Sequence, residues 1–160
     1  MRVLSGNAET EAKRWMEEAL RIADGSCCLS SQSGAVVVNN GLLIGKGFNS
    51  PPGNEKIEKC LKDELSGNFR SDRTCCVHAE ERAVMDAIEL KRTFLKGATL
   101  YYIRKKNGEK VFAGKPYCTI CSKLALDVGI AHFVLWHENG ITEYSMEEFN
   151  RLSFEFHSGT

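Results

Sequence analysis

The chain has 160 residues, 42% of them hydrophobic, and balances 21 lysines and arginines against 21 aspartates and glutamates. That is enough for one domain with a sizeable core, and the even charge gives no reason to expect nucleic acid or acidic lipid as an obligatory partner. The longest apolar runs fall well short of the roughly 18 residues of a membrane-spanning helix, and MRVLSGNAETEAKRW turns charged too early for a secretory leader. Seven cysteines is an odd count, so reduced thiols in a cytoplasmic protein, some held by metal, fit better than a disulfide framework.

Ala12, Trp15, Met16, Ala19 and Ala23 recur at helical spacing and predict an amphipathic helix over Asn7–Asp24, capped by Asn7 or Thr10. Trp15 reads as core or subunit contact. Gly34–Val38 and Leu42–Phe48 read as strands of a hairpin joined at Asn39-Asn40-Gly41, with Gly45 and Gly47 marking a bulge or a close backbone approach. NSPPGN at 49–54 is a rigid turn. The polar stretch 55–74, with a short helix around Ile57–Leu65, is long for a connection and reads as a flap or an oligomer contact.

A second amphipathic helix is predicted over His78–Arg92, with Ala79, Ala83, Val84, Ala87 and Ile88 facing inward. Ala98–Arg104 is a strand, KKNGEK a turn, and VFAGK a link to the motif KPYCTICSK. Thr119–Gly129 is a third helix with Leu124, Ala125 and Val128 inward. Ala131–His137 and GITEYS are strands, and Met146–His157 closes the chain as a helix. In that helix Leu152, Phe154 and Phe156 are spaced by two, so they finish the core or cover a neighbour. An antiparallel hairpin followed by strands separated by helices predicts a three-layer α/β domain with a mixed sheet.

The chemistry gathers at two helix starts. Cys118 and Cys121 open one helix, and His78 opens another with Glu80 two residues on. Cys-x-x-Cys alone fits half of a structural zinc knuckle, a redox pair or a catalytic metal site. A second such pair is missing, because Cys27-Cys28 and Cys75-Cys76 are adjacent. Two thiolates and one imidazole leave the fourth position of a tetrahedral zinc open, as catalytic zinc sites require, and two helix N-termini favour the thiolates.

His78-Ala79-Glu80 with Pro116-Tyr117-Cys118-Thr119-Ile120-Cys121 resembles the signature of the zinc-dependent nucleobase deaminases, the cytidine and deoxycytidylate deaminase superfamily. IGKGFNSPPGN, the cysteines before VHAE, and CSKLALDVGI are most similar to the deoxycytidylate (dCMP) branch. The resemblance implies a cytidine-deaminase-like α/β/α fold over residues 1–160, with a flap-like insertion around 50–76. It implies Zn2+ held by His78, Cys118 and Cys121, and Glu80 as proton shuttle in the hydrolytic deamination of a cytosine nucleotide, dCMP or a relative. It further implies Asn49 on the sugar hydroxyl, the Ala79 N–H on the base carbonyl, and a second, structural metal on Cys60, Cys75 and Cys76. Arg70, Arg73, Lys115 and Lys123 are candidates for phosphate, and a homo-oligomer is expected. In the family proline directly precedes the first cysteine. Here Tyr117 intervenes, and it is expected to form a wall of the substrate pocket. The alternatives are a deaminase of bases in RNA or single-stranded DNA, using the basic stretches KRTF and RKKNGEK, a deaminase of another free nucleobase or nucleoside, and a non-catalytic zinc-stabilised binding protein.

Overall fold

A computed structural model of the chain describes residues 1–64 and 74–158. Among these, β1 (Arg2–Val3) leads into α1 (Gly6–Ala23), then the hairpin β2 (Gln32–Asn39) and β3 (Leu42–Phe48). After the 50–76 segment come α2 (Ala79–Lys91), β4 (Thr99–Lys106), β5 (Glu109–Val111), α3 (Thr119–Asp127), β6 (His132–His137), β7 (Gly140–Ser145) and α4 (Met146–Ser158). The sheet runs β1-β7-β6-β4-β2-β3, with β5 added to β4. Only β4 and β6 pair in parallel. The β2–β3 turn has positive φ at Asn40 and Gly41, which suits asparagine and glycine and matches the right-handed twist of the strands.

Two apolar cores lie on opposite faces of the sheet. On one, α1 buries Ala12, Trp15, Met16 and Ala19 against Val36, Tyr101, Val134 and Ile141. On the other, α2, α3 and α4 cover Ala35, Val37, Leu100 and Phe133. The α/β/α layering with a mixed sheet is therefore as expected. Gly45 and Gly47 fulfil both readings made of them. The register slips between Val37 and Val38, opposite Gly45 and Leu43. A Cβ on Gly45 would lie 2.3 Å from the Ala83 carbonyl, and one on Gly47 would lie 2.5 Å from that of Ala79. The two glycines let α2 lie directly on β3.

Several details differ from expectation. Helix α1 begins at Gly6 after Ser5, so Asn7 is inside the first turn, and the Thr10 hydroxyl donates back to the Gly6 carbonyl rather than capping. Ile88 is 39% exposed, one position off the stripe that Ala83, Val84 and Ala87 bury. In α4 the buried positions are Met146, Phe149 and Ser153, at helical spacing, so Phe154 and Phe156 face outward and only Leu152 packs partly on the core. Of the short helix expected around Ile57–Leu65, the described residues contain a 3-10 turn at Leu61–Glu64. Arg70 and Arg73 lie outside the described residues.

Strand β3 is antiparallel to β2, β2 is antiparallel to β4, and β4 is parallel to β6. Hence β3, β4 and β6 all point the same way. Helix α2 follows β3, and α3 runs back to start β6, so both helix N-termini lie beyond the same ends of these strands, the usual place for a ligand in an open α/β layer.

Candidate metal centre and active site

The segment before α2 is pinned by a bridge in which Val77 N–H donates to Ser50 O at 2.9 Å and Ser50 N–H donates to Val77 O at 3.3 Å. His78 then caps α2, and its own N–H donates to Glu81 Oε2 at 2.9 Å. Cys118 caps α3, with Cys121 N–H donating to its sulfur at 3.5 Å. Ser122 ties α3 to α4 through Asn150 Oδ1 at 2.8 Å.

These restraints bring three ligand atoms together. His78 Nδ1 lies 3.2 Å from Cys121 Sγ and 3.3 Å from Cys118 Sγ, and the two sulfurs are 3.2 Å apart. Among the described residues this is the only group of three or more ligating side chains whose donor atoms lie within 4.8 Å of one another. One imidazole nitrogen and two thiol sulfurs, buried or nearly so, are the donor set zinc prefers over harder cations. Hydrogen bonding from Cys121 and His78 outweighs burial and draws the Cys118 thiol down to about 4, while burial pushes Cys121 up. Burial pulls His78 down, but the Cys118 sulfur and the charges of Glu80, Cys118 and Glu81 prevail and raise it to about 9. The site thus favours thiolate on Cys118, the form that binds metal.

Glu80 is 8% exposed, and burial pushes its carboxyl up to about 7 against the opposing pull of His78. It lines two cavities that meet at Glu80, Tyr102, Arg104 and Tyr117. The smaller, of about 40 Å³, also contains Asn49, His78 and Ala79. The larger, of about 230 Å³, runs toward Phe133, Trp136 and Phe149. Tyr117 is 41% exposed, borders both, and tilts against Phe156 with ring centroids 5.9 Å apart.

Asn49 lies at the smaller cavity, but most of its hydrogen-bonding capacity is used inside the protein. Its Oδ1 accepts from Ser26 Oγ at 2.8 Å and from Ser33 N–H at 2.7 Å, and Nδ2 donates to Ser31 O at 2.9 Å. One N–H is left over. Cys28, Cys60, Cys75 and Cys76 line the same cavity. The Cys75 and Cys76 sulfurs are 3.8 Å apart. The second metal group expected from Cys60, Cys75 and Cys76 is not assembled by the described residues. Lys115 lines the larger cavity, whereas Lys123 sits on a separate surface with Asp127.

Sequence reasoning passed over Tyr102 and Glu81, and took Arg104 only as the first residue of the basic stretch RKKNGEK. Strand alternation from the inward Leu100 places Tyr102 and Arg104 on the site face, and Glu81 is the third residue after a helix cap, where a carboxylate reaches back to the cap N–H.

Residues 9–137 match the family described as the cytidine and deoxycytidylate deaminase zinc-binding region. The chain belongs to that family. Its His78–Cys118–Cys121 cluster is consistent with the zinc-binding site of a hydrolytic deaminase. No curated protein matches the deaminase at the sequence level. Among solved structures it is similar to the dCMP deaminase of cyanophage S-TIM5, at 20% identity and TM-score 0.53 over 76% of this chain and 79% of that one. It is also similar to the cytidine deaminase of Burkholderia pseudomallei, at 15% identity and TM-score 0.58 over 86% and 94%. At these identities the likeness establishes the fold. Among the described residues no helix of the deaminase is long and apolar enough to cross a membrane.

Proposed function

We propose that this chain, acting as one domain over residues 1–160, hydrolytically deaminates a cytosine nucleotide, dCMP or a close relative, to the uracil form and ammonia. The observation that carries the reading is Glu80: a buried carboxyl at the junction of two cavities, two residues from a ligand of an incompletely coordinated metal site. His78, Cys118 and Cys121 would hold a zinc ion, which would supply Lewis acidity to a water. Glu80 would take one proton from that water and deliver it to the ring nitrogen as the water oxygen bonds to the reacting carbon, then take the remaining proton from the same oxygen and give it to the amine, which leaves as ammonia when the C–N bond breaks and the C=O forms. A carboxyl raised to about 7 holds and releases protons near neutrality with little driving force lost. The Ala79 N–H at the start of α2 meets the base carbonyl, the remaining Asn49 N–H meets a sugar hydroxyl, and Tyr117 walls the base.

The polynucleotide alternative is disfavoured by what its basic stretch does. Lys105 pairs with Asp24 on the α1 side of the sheet, and Lys110 lies 3.3 Å over the Trp136 ring. Exposed Met85, Leu90 and Phe94, on α2 and the turn after it, support a homo-oligomer of this cytoplasmic enzyme. Light scattering at micromolar concentration that shows only a single chain's mass would remove that part. The central test is ammonia release from purified, zinc-loaded protein offered dCMP, CMP, dCTP, cytidine, guanine and adenosine in RNA. Turnover of dCMP or a related cytosine nucleotide is expected, and turnover of none of the cytosine substrates would reject the reading.

A further inference from the structure

The link between β4 and the Cys118 motif is longer than joining two elements requires. Strand β4 pairs with β6 over Thr99–Tyr102, then with β5 over Arg104–Lys106. Strand β2 holds the other edge of β4 throughout, so β5 continues the edge that β6 leaves. Chain 112–117 then returns beside β6, with Ala113 N–H donating to Trp136 O at 2.8 Å. The larger cavity lies under this return. At about 230 Å³ this open cleft has room for part of a small ligand.

Its lining divides into two parts. The interior is apolar, with Phe133, Leu135, Trp136 and Phe149, while Arg104 and Lys115 supply two cations and Glu80, at the catalytic end, the only carboxylate. Among the described residues neither Arg104 nor Lys115 makes an ion pair, although the adjacent Lys105, facing the other way, is paired with Asp24. Arg104 is half-buried and lines the smaller cavity as well. A guanidinium held at such a junction with no carboxylate partner among the described residues is suited to an anion that arrives with the ligand, and its planar fork matches phosphate oxygens.

Building on the deaminase reading, we infer that Arg104, assisted by Lys115, forms the phosphate subsite of this enzyme, so that the β5 insertion selects a nucleoside monophosphate over the free nucleoside. The ring sits at Glu80, the sugar lies between Asn49 and Tyr117, and the phosphate meets Arg104 at the junction, with Lys115 beyond it in the larger cavity.

Calorimetric titration of the zinc-loaded full chain with dUMP, deoxyuridine and inorganic phosphate tests this without requiring turnover. Wild type is expected to bind dUMP about 10- to 100-fold more tightly than deoxyuridine, the range for a charge-assisted hydrogen bond. Arg104→Gln should bring dUMP down toward the deoxyuridine affinity, and Lys115→Gln, at an exposed position that leaves folding undisturbed, should lower it part of the way. Equal wild-type affinities, a preference that survives both substitutions, or inorganic phosphate binding as tightly as dUMP would each overturn the subsite. Ammonia release from dCMP and deoxycytidine is followed in parallel. Arg104-dependent dUMP binding without turnover keeps the subsite and rejects the deaminase reading, whereas turnover with no preference for the phosphate does the reverse.

Discussion

The chain has two sulfur-rich groups beside one cavity, and they are held in different ways. His78, Cys118 and Cys121 stand on the first turns of helices packed on the sheet, and their donor atoms close to 3.2–3.3 Å. Cys28, Cys60, Cys75 and Cys76 come from connecting segments, and among the described residues they do not close into such a group. Residue type is the same in both, so the difference is one of support. A metal site needs several ligands fixed at once, and regular elements anchored in a core do this better than loops do.

The largest expected effect that sharpens this contrast is Cys118→Ser. Elemental analysis of the purified variant should fall from at least one zinc per chain to nearly none, with all deamination lost. A variant that keeps its zinc would place the metal elsewhere. Glu80→Gln comes next, because it preserves size while removing the proton acceptor. Turnover should drop by about 10⁴-fold with zinc and melting temperature unchanged, and retention of more than about a tenth of wild-type rate would dismiss the shuttle.

Gly47→Ala attacks the support rather than the ligands. Its methyl would lie 2.5 Å from Ala79 O and Ala83 N, against the first turn of α2. A destabilisation of about 1–3 kcal/mol in urea titration and weaker zinc retention against a chelator are expected together. Normal zinc affinity in a destabilised variant would show that α2 does not position His78. The smallest effect belongs to the loop thiols. Cys75→Ser and Cys76→Ser should each leave zinc content unchanged and turnover within about twofold, while loss of a second equivalent of zinc would restore the structural-metal reading.

Much of this support was visible in the sequence because it rests on local rules. Asn40-Gly41 declared the hairpin, Gly45 and Gly47 declared a close approach, and two motifs at helix starts declared the metal cluster. What escaped depended on partners distant in the chain. Strand β1, at two residues, carries no period, and its place beside β7 is set by the finished sheet. Asn49 reads as an open donor in NSPPGN, yet Ser26, Ser31 and Ser33 claim most of it. Arg104 is inward by alternation, but a charged residue near a strand end is ordinarily assigned to solvent, and only the cavity under the β5 return shows otherwise.

The separation of the ligands along the chain has a consequence for biosynthesis. His78 and Cys121 are 43 residues apart, with β4 and the β5 return made between them. At the usual pace of translation, roughly 5–20 residues per second, His78 leaves the ribosome roughly two to nine seconds before Cys121. During that interval the nascent chain has its imidazole and its acid but neither motif thiol. Metal captured early would have to settle on the thiols already synthesised, Cys27, Cys28, Cys60, Cys75 and Cys76, which makes the timing of zinc delivery part of how this protein matures.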